Sequence, residues 1–446
     1  MAGEGIELNM HSSICKEFSI KPGQKTSLSL GNITSTVLIK DSKTSPGQPI
    51  TVNVSAKLAH ALNLPGGITM NIAKTAHGLR IGPLFGVLTK EYLDAERSFG
   101  PQDTYYRKLL YAVRNVNGYG YVFTPQAIDW GKKRIQGWVL GPDMNSPWKR
   151  CWLPFPDVCY NRYFRKDRGL YSQEILARLA KHGIKSFNYP LGTKWSVQQM
   201  LEGQRDIRNH LPETRIMEKG ANIEEMSTKH KVLYIKPVLG YQGQGVTRVI
   251  RENKKYICRS TGETTDTILK SAGEVLRKAR GTRKAPMLIQ QGIECPNYEG
   301  HFDFRVLVQK NYQGHWEVTG MAVRVGAPNQ ITSNLHTGGH AVRTEYLLAE
   351  LGYTPQEISM IIAELTNLSI QIAGYLEMTV IDIAEIGLDF IIDDDRKVWF
   401  LEANSKPGRR VFGEIDAQHL RKLSIIRPAQ YACHLAGFTR RDSSAI

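Results

Sequence analysis

The sequence predicts a multidomain protein of mixed α/β and α+β class, and three observations carry that expectation. The chain has 446 residues, room for two or three domains at about 100–200 residues each. Its patterning changes twice, from short β-rich pieces to strand–helix alternation, and then to a long region holding most of the chemistry. Its composition is 41% hydrophobic and 22% charged with mean hydropathy −0.32, which excludes disordered and collagen-like classes.

Residues 1–76 read as a small β-barrel-like domain. Short β-rich pieces, from Thr26–Leu30 to Ile68–Ile72, are divided by Pro-Gly and Ser-Pro-Gly turns, with one short helix at Lys57–Leu62. Residues 77–190 alternate element types. Leu79–Leu88 is an apolar strand, Asp103–Asn115 a helix, Gly120–Phe123 and Ile135–Leu140 buried strands, and Ser172–His182 a helix closed by Gly183. That alternation predicts a small, mostly parallel α/β unit. The tract Trp148 to Phe164 is aromatic and basic, and either packs a domain junction or forms a stacking platform. Residues 191–446 form the third region, whose arm after Arg410 is expected to be helical and to close it.

Function classes narrow by exclusion. No run approaches the roughly 18 apolar residues that cross a bilayer, and Met1–Met10 lacks the layout of a signal peptide. Six scattered cysteines without a CxxC pair fit neither a zinc site nor a disulfide scaffold. A reduced, cytoplasmic protein is the expectation. The formal charge is +16, and Arg205–Lys284 alone holds eighteen Lys/Arg against nine Asp/Glu. Such a surface attracts a polyanion, but no zinc finger, basic zipper or RNP signature points to specific nucleic acid.

Two tracts carry chemistry. In Lys231–Glu252, two β-patterned stretches flank Gly240, Gly243 and Gly245. A Walker loop or dinucleotide fingerprint joins strand to helix; this loop joins strand to strand. Glycine permits positive φ and close approach, so such a hairpin folds over phosphates and offers them backbone N–H groups. Lys236, late in the first strand, neutralises phosphate oxygens. In Gly387–Gly408, a hairpin is expected with its turn at Asp393–Arg396. With an even loop, Asp389 lies opposite Phe400, and Asp389, Glu402 and Asn404 project from one face. Two carboxylates and an amide oxygen suit Mg²⁺. An odd loop breaks this geometry. Asp393–Asp395 read as a solvated turn.

The order of further motifs is specific. Lys194 opens a helix in GTKWSVQQML; Leu211–Thr214 follows, then the IKP strand with its glycine loop, and the LIQQGIE hinge Leu288–Glu294. Asp303–Val306, Arg324 with Asn334 and Gly338-Gly339, and the final D…ExN complete the series. The chain from about Leu191 to Phe412 resembles the ATP-grasp superfamily, and the whole most resembles its YheC/YheD group of endospore coat-associated proteins. The resemblance implies a C-terminal ATP-grasp fold preceded by a pre-ATP-grasp-like domain at 77–190. It implies that Lys194 and Lys236 contact nucleotide phosphates, that Gln290, Gln291, Gly292 and Ile293 meet the adenine edge, and that Glu294 touches ribose. It gives Asp389, Glu402 and Asn404 to magnesium, Arg324 to the γ-phosphate and Arg305 to a substrate carboxylate. Either arginine can instead serve structurally, paired to an acid such as Asp303.

The activity so implied is an ATP- and Mg²⁺-dependent carboxylate–amine ligase, making an amide or peptide bond through an acyl phosphate on an acidic peptide or protein. The alternative is a spore-coat assembly protein that binds nucleotide without turnover. His336 and His340 beside the glycine pair read as ordinary loop histidines, and Lys406, Arg409 and Arg410 as groups to meet an acidic acceptor.

Overall fold

The computed structural model describes residues 6–42, 51–62, 64, 67–163, 170–240, 243–283, 285–295, 298, 300–333, 335, 338–380 and 382–438. The chain divides into two compact units. The first comprises Met1–Tyr189 with Lys310–His315 and Ile425–Ile446; the second comprises Pro190–Gln309 and Trp316–Ser424.

Two sheets build the first unit. One has six strands in the order Ile6–His11, Ile33–Ser42, Lys25–Leu30, Gly78–Gly82, Ile68–Thr75, Thr51–Val54. Its first and last strands approach within 8 Å between Cα atoms, which curls it into a barrel-like form. The strand Ile6–His11 was not expected, although Leu8 and Met10 alternate with polar residues and are buried. The other sheet runs Lys149–Pro154, Arg134–Val139, Tyr119–Phe123, Leu84–Leu88, Val158–Asn161, Lys185–Phe187. Its last four strands pair in parallel, and Arg134–Pro154 adds an antiparallel hairpin at one edge. The helix Asp103–Asn115 forms because Tyr106, Leu109, Leu110 and Val113 share one buried face.

Two boundaries differ from the sequence reading. The stretch Leu79–Leu88 is not one strand: Gly78–Gly82 completes the first sheet, Pro83 interrupts, and Leu84–Leu88 opens the second. Arg80 breaks the apolar run of the first half at an alternate position, and Pro83 marks the end of that strand. The C-terminal arm also differs. The helix Gln418–Ala436 leaves the second unit after Ser424, and Ile425 onward belongs to the first.

The second unit has two antiparallel-rich sheets. One runs Thr214–Met217, Met287–Gln291, Val232–Pro237, Thr247–Glu252, Lys255–Ser260, Thr267–Leu269. Helices Gly220–Lys229 and Ala272–Arg280 cover it through Ile223, Met226, Val275 and Ala279. The other runs His340–Val342, Trp316–Val325, Phe302–Lys310, Glu385–Ile392, Val398–Asn404. The helix Pro355–Thr379 buries Ile361, Leu365, Leu368, Ile372 and Leu376 at helical spacing, and its start is fixed by a Thr354–Glu357 capping box. No helix among the described residues is long and apolar enough to cross a membrane, and none of the six cysteines is in a disulfide.

Candidate functional site

The final hairpin reaches the expected face by an unexpected route. Ile392 pairs with Val398 and Phe390 with Phe400, one position away from the expected register. Asp393 closes the turn: Arg396 N–H donates to its carbonyl at 3.0 Å, and its carboxylate accepts from Lys397 N–H and the Trp399 indole. Arg396 takes the left-handed conformation, φ +68°, the form of a three-residue turn. That odd loop alone would set Asp389 opposite Leu401 and turn Glu402 to the other side. A bulge between Asp389 and Phe390 in the ladder restores the face, placing Asp389 opposite Glu402 and Gly387 opposite Asn404. Leu401 and Glu402, although consecutive, both line the same cleft, which a regular strand forbids.

On the neighbouring strand Arg305 stands directly opposite Asp389, so Arg305, Asp389 and Glu402 form a row across three strands. Arg305 donates to Asp389 Oδ1 at 2.5 Å and Oδ2 at 3.0 Å. Arg324 donates to the same Oδ2 at 2.9 Å and to both oxygens of Asp303 at 2.6 and 2.7 Å. Ser333 Oγ donates to Asp303 as well. Burial and the nearby Asp389 press the Asp303 carboxyl upward, yet a bidentate guanidinium is the stronger local influence and the pair is read as charged. Burial opposes the Arg324 charge, but Asp303 and Asp389 overcome it and hold that guanidinium firmly protonated. Asn404 Nδ2 donates to Glu402 Oε1 at 3.2 Å and to Asp389 Oδ2 at 3.4 Å.

Two lysines face this row. Lys194 is the first residue of the helix Lys194–Glu202, whose Thr193 cap and Ser196 fix its start; its ammonium ion-pairs with Glu402. Burial alone would raise the Glu402 carboxyl, but Lys194, Lys236 and Arg324 outweigh it and hold the group below the usual carboxylate range. Lys236 donates to Gln290 Oε1 at 2.7 Å, and Gln290 donates to Thr214 Oγ1 at 2.9 Å. Burial first, then Lys194, push the Lys236 ammonium down to about 8, against the pull of Glu402 and Asp389.

The cleft spans about 960 Å³ with its open mouth included, and Lys194, Lys236, Gly240, Gly243, Gln290, Gln291, Ile293, Asp303, Arg324, Asp389 and Glu402 line it. Among the expected residues Gly245, Gly292, Glu294, Arg305 and Asn404 stand outside its described lining. Gly243 and Gly245 have φ +65° and +73°, conformations that require glycine. Gly245 packs under the Arg283 guanidinium. Glu294 is taken up by Arg248 on the next strand but one. The hinge is partly committed: Gln291 N–H donates to Glu213 O and Gly292 N–H to Val232 O, both at 2.8 Å.

The structure gives three arginines their partners and adds two residues. Arg305 pairs with Asp389. Arg409 is buried on Glu385, and Arg410, largely exposed, pairs with Glu414 at 2.6 Å. Asn334, His336, Phe164 and Lys284 lie outside the described residues. Tyr234 and His301, 3.5 Å apart, line the cleft unannounced; burial and Arg248 push the imidazole down to about 4. Asp303, expected as an acid that can pair with an arginine, holds Arg324.

Comparison with known proteins decides the family. The sequence matches the family described as YheC/D like ATP-grasp over residues 183–435. It is 31% identical over 396 residues to the endospore coat-associated protein YheD of Bacillus subtilis (strain 168), covering 86% of each chain. The chain belongs to the YheC/D-like ATP-grasp family. YheC of the same organism is 25% identical over 295 residues, covering 65% of this chain and 80% of that one. Among solved structures, the ATP-grasp ligase PsnB complexed with minimal precursor, Mg and ADP aligns at TM-score 0.44 and 15% identity, over 78% of this chain and 98% of that one. The D-alanine-D-alanine ligase of Coxiella burnetii aligns at 0.44 and 11%, over 79% and 96%. In this YheC/D-like ATP-grasp chain, the family segment contains both sheets of the second unit and every residue of the cleft described above.

Proposed function

We propose that the chain is an ATP- and Mg²⁺-dependent carboxylate–amine ligase that forms an amide or peptide bond and releases ADP and phosphate. The observation that carries this reading is the convergence of Lys194, Lys236 and Arg324 on the cleft that also holds Asp389 and Glu402. Three carboxylates (Asp303, Asp389, Glu402) meet four cations (Lys194, Lys236, Arg305, Arg324), leaving one positive charge in excess for a polyphosphate.

The oxygens of Asp389 and Glu402 already face cations, namely two guanidiniums and the Lys194 ammonium. That hard donor set, with Asn404 beside it, suits Mg²⁺. When bound, the ion neutralises phosphate oxygens and orients them for transfer. Lys194 then exchanges Glu402 for a phosphate oxygen, and Lys236 turns from Gln290 to another. Arg324, held by Asp303, meets the charge that develops on the γ-phosphate. A substrate carboxylate oxygen attacks the γ-phosphorus and ADP leaves; an amine then attacks the acyl carbon of the acyl phosphate, expelling phosphate and losing a proton. The overall charge of +16 suits an acidic peptide or protein as substrate, and the coat association of the relatives YheD and YheC supports work at the spore coat.

The coat association of YheD and YheC also favours a second reading, a nucleotide-binding assembly protein without turnover. The test is incubation with ATP, Mg²⁺, acidic peptides and hydroxylamine as amine. The ligase reading expects ADP together with a peptide hydroxamate by mass spectrometry. A phosphorylated peptide identifies a phosphotransferase instead, and bound but uncleaved ATP with every carboxylate supports the assembly reading.

A further inference from the structure

The aromatic and basic tract divides when folded. Tyr160 is buried against Phe85 and Phe187, and Trp148 packs on Phe99 while donating to Asp103. Lys149, Arg150 and Trp152 do neither. They lie on Lys149–Pro154, the edge strand of the second sheet, which among the described residues pairs only to Arg134–Val139. Trp152 is 40% exposed, and Lys149 and Arg150 are exposed beside it.

Register sorts the faces. Arg150 lies opposite Trp138 and Trp152 opposite Gln136, so Arg150 and Trp152 share one face. Each stacks with a residue of the neighbouring strand: Arg150 over Trp138 at 4.9 Å, and Arg134 over Trp152 at 4.0 Å. Arg134 is paired to Asp129. Lys149 and Arg150 have no carboxylate partner among the described residues. Lysine on an edge strand ordinarily blunts it against pairing. The exposed part of Trp152, under Arg134, offers an amphipathic ring of the kind enriched at interfaces.

We propose that this edge docks an extended acidic peptide segment by strand addition. The outward N–H and C=O groups of Lys149–Leu153 pair with the segment's backbone, while Pro154 is spent on the Tyr121 hydroxyl. A carboxylate of the segment meets Arg150, and an apolar side chain two residues along, on the same face, covers Trp152. Lys149, on the opposite face, takes a further acid. Charge argues against a second copy of this chain at the same edge, because basic edge would face basic edge. Single-stranded nucleic acid wants successive exposed rings, and this edge shows one. The proposal names the class of partner for the acidic-substrate reading but does not rest on nucleotide binding.

The experiment is fluorescence anisotropy of the full chain with a labelled peptide of about eight residues in the repeat Glu-Glu-Val-Val, which sets an acid and an apolar residue two apart on each face. A Gln/Val peptide and a labelled oligothymidine serve as rivals. The native protein is expected to prefer the Glu peptide, with affinity falling as salt rises. Arg150→Glu should weaken binding by about five- to tenfold and Trp152→Gln by several-fold, with melting temperature and ATP binding unchanged. Amide exchange should slow at Lys149–Leu153 when peptide binds, which a merely electrostatic contact would not produce. Equal binding of both peptides, tighter binding of the oligothymidine, or indifference to both substitutions would overturn the proposal. Glu402→Gln should leave peptide binding intact, so failure of the ligase reading stays distinguishable from failure of this one.

Discussion

Raising the pH from about 7 to about 9 should weaken Mg·ATP binding through one group, Lys236. Burial and Lys194 hold its ammonium at about 8, so the protonated fraction falls from about nine-tenths to about one-tenth across that window. A polyphosphate binds the charged form, and the affinity should fall about tenfold, or about 1.4 kcal/mol. Stability of the ligand-free fold should move the other way. The folded value lies below the ordinary 10.5, so the neutral amine is the favoured folded form. The associated stability is present above about 10.5 and is lost as pH falls through about 8. Calorimetric titration with ATP at several pH values reads the first trend, and thermal melting without nucleotide reads the second. Lys236→Met should remove both. Affinity that stays flat across the window, or a slope that survives in Lys236→Met, would refute the reasoning.

Three further outcomes are expected. Asp303→Asn leaves Arg324 tethered only by Asp389, and turnover should drop by about 10–100-fold, the worth of a charged hydrogen bond, while ATP affinity by calorimetry changes little. Arg409→Ala strands the buried Glu385 carboxylate, which also accepts from Gln309 at 2.8 Å. Urea unfolding should show a loss of about 3–5 kcal/mol, with the Mg²⁺ response of any remaining folded protein unchanged. Glu294→Gln releases Arg248 from its ion pair; if Glu294 also meets ribose, ATP binding should weaken several-fold, and unchanged affinity would confine Glu294 to a structural role.

Much of the site was legible because its chemistry sits against an apolar background. Glu402 and Asn404 end a strand otherwise made of Val398, Phe400 and Leu401, and their type and spacing identified the face. The register did not follow from sequence, because an odd turn and a bulge cancel one another and neither leaves a pattern in residue type. Lys194 and Lys236 were found by position in the motif order. Their pairing with Glu402 and Gln290 is a long-range contact that no local spacing encodes. The partners of Arg305 and Arg409 were not legible for a shared reason. An arginine in a β-like tract looks the same whether it faces a ligand or a buried acid, and Asp389 and Glu385 are distant in sequence from each. The boundary at Gly82, which Pro83 marks, was lost because Leu79, Ile81 and the wholly apolar Leu84–Leu88 read as one apolar stretch.

The central claim is that the face bearing Asp389 and Glu402 gives nucleotide binding its dependence on magnesium. Calorimetry of ATP binding with and without Mg²⁺, on the native chain and on folded Glu402→Gln, tests it most directly. The account predicts that Mg²⁺ tightens binding to the native protein and has little effect in the variant. An equal gain from Mg²⁺ in both proteins, or no ATP binding by the folded native chain, would contradict it.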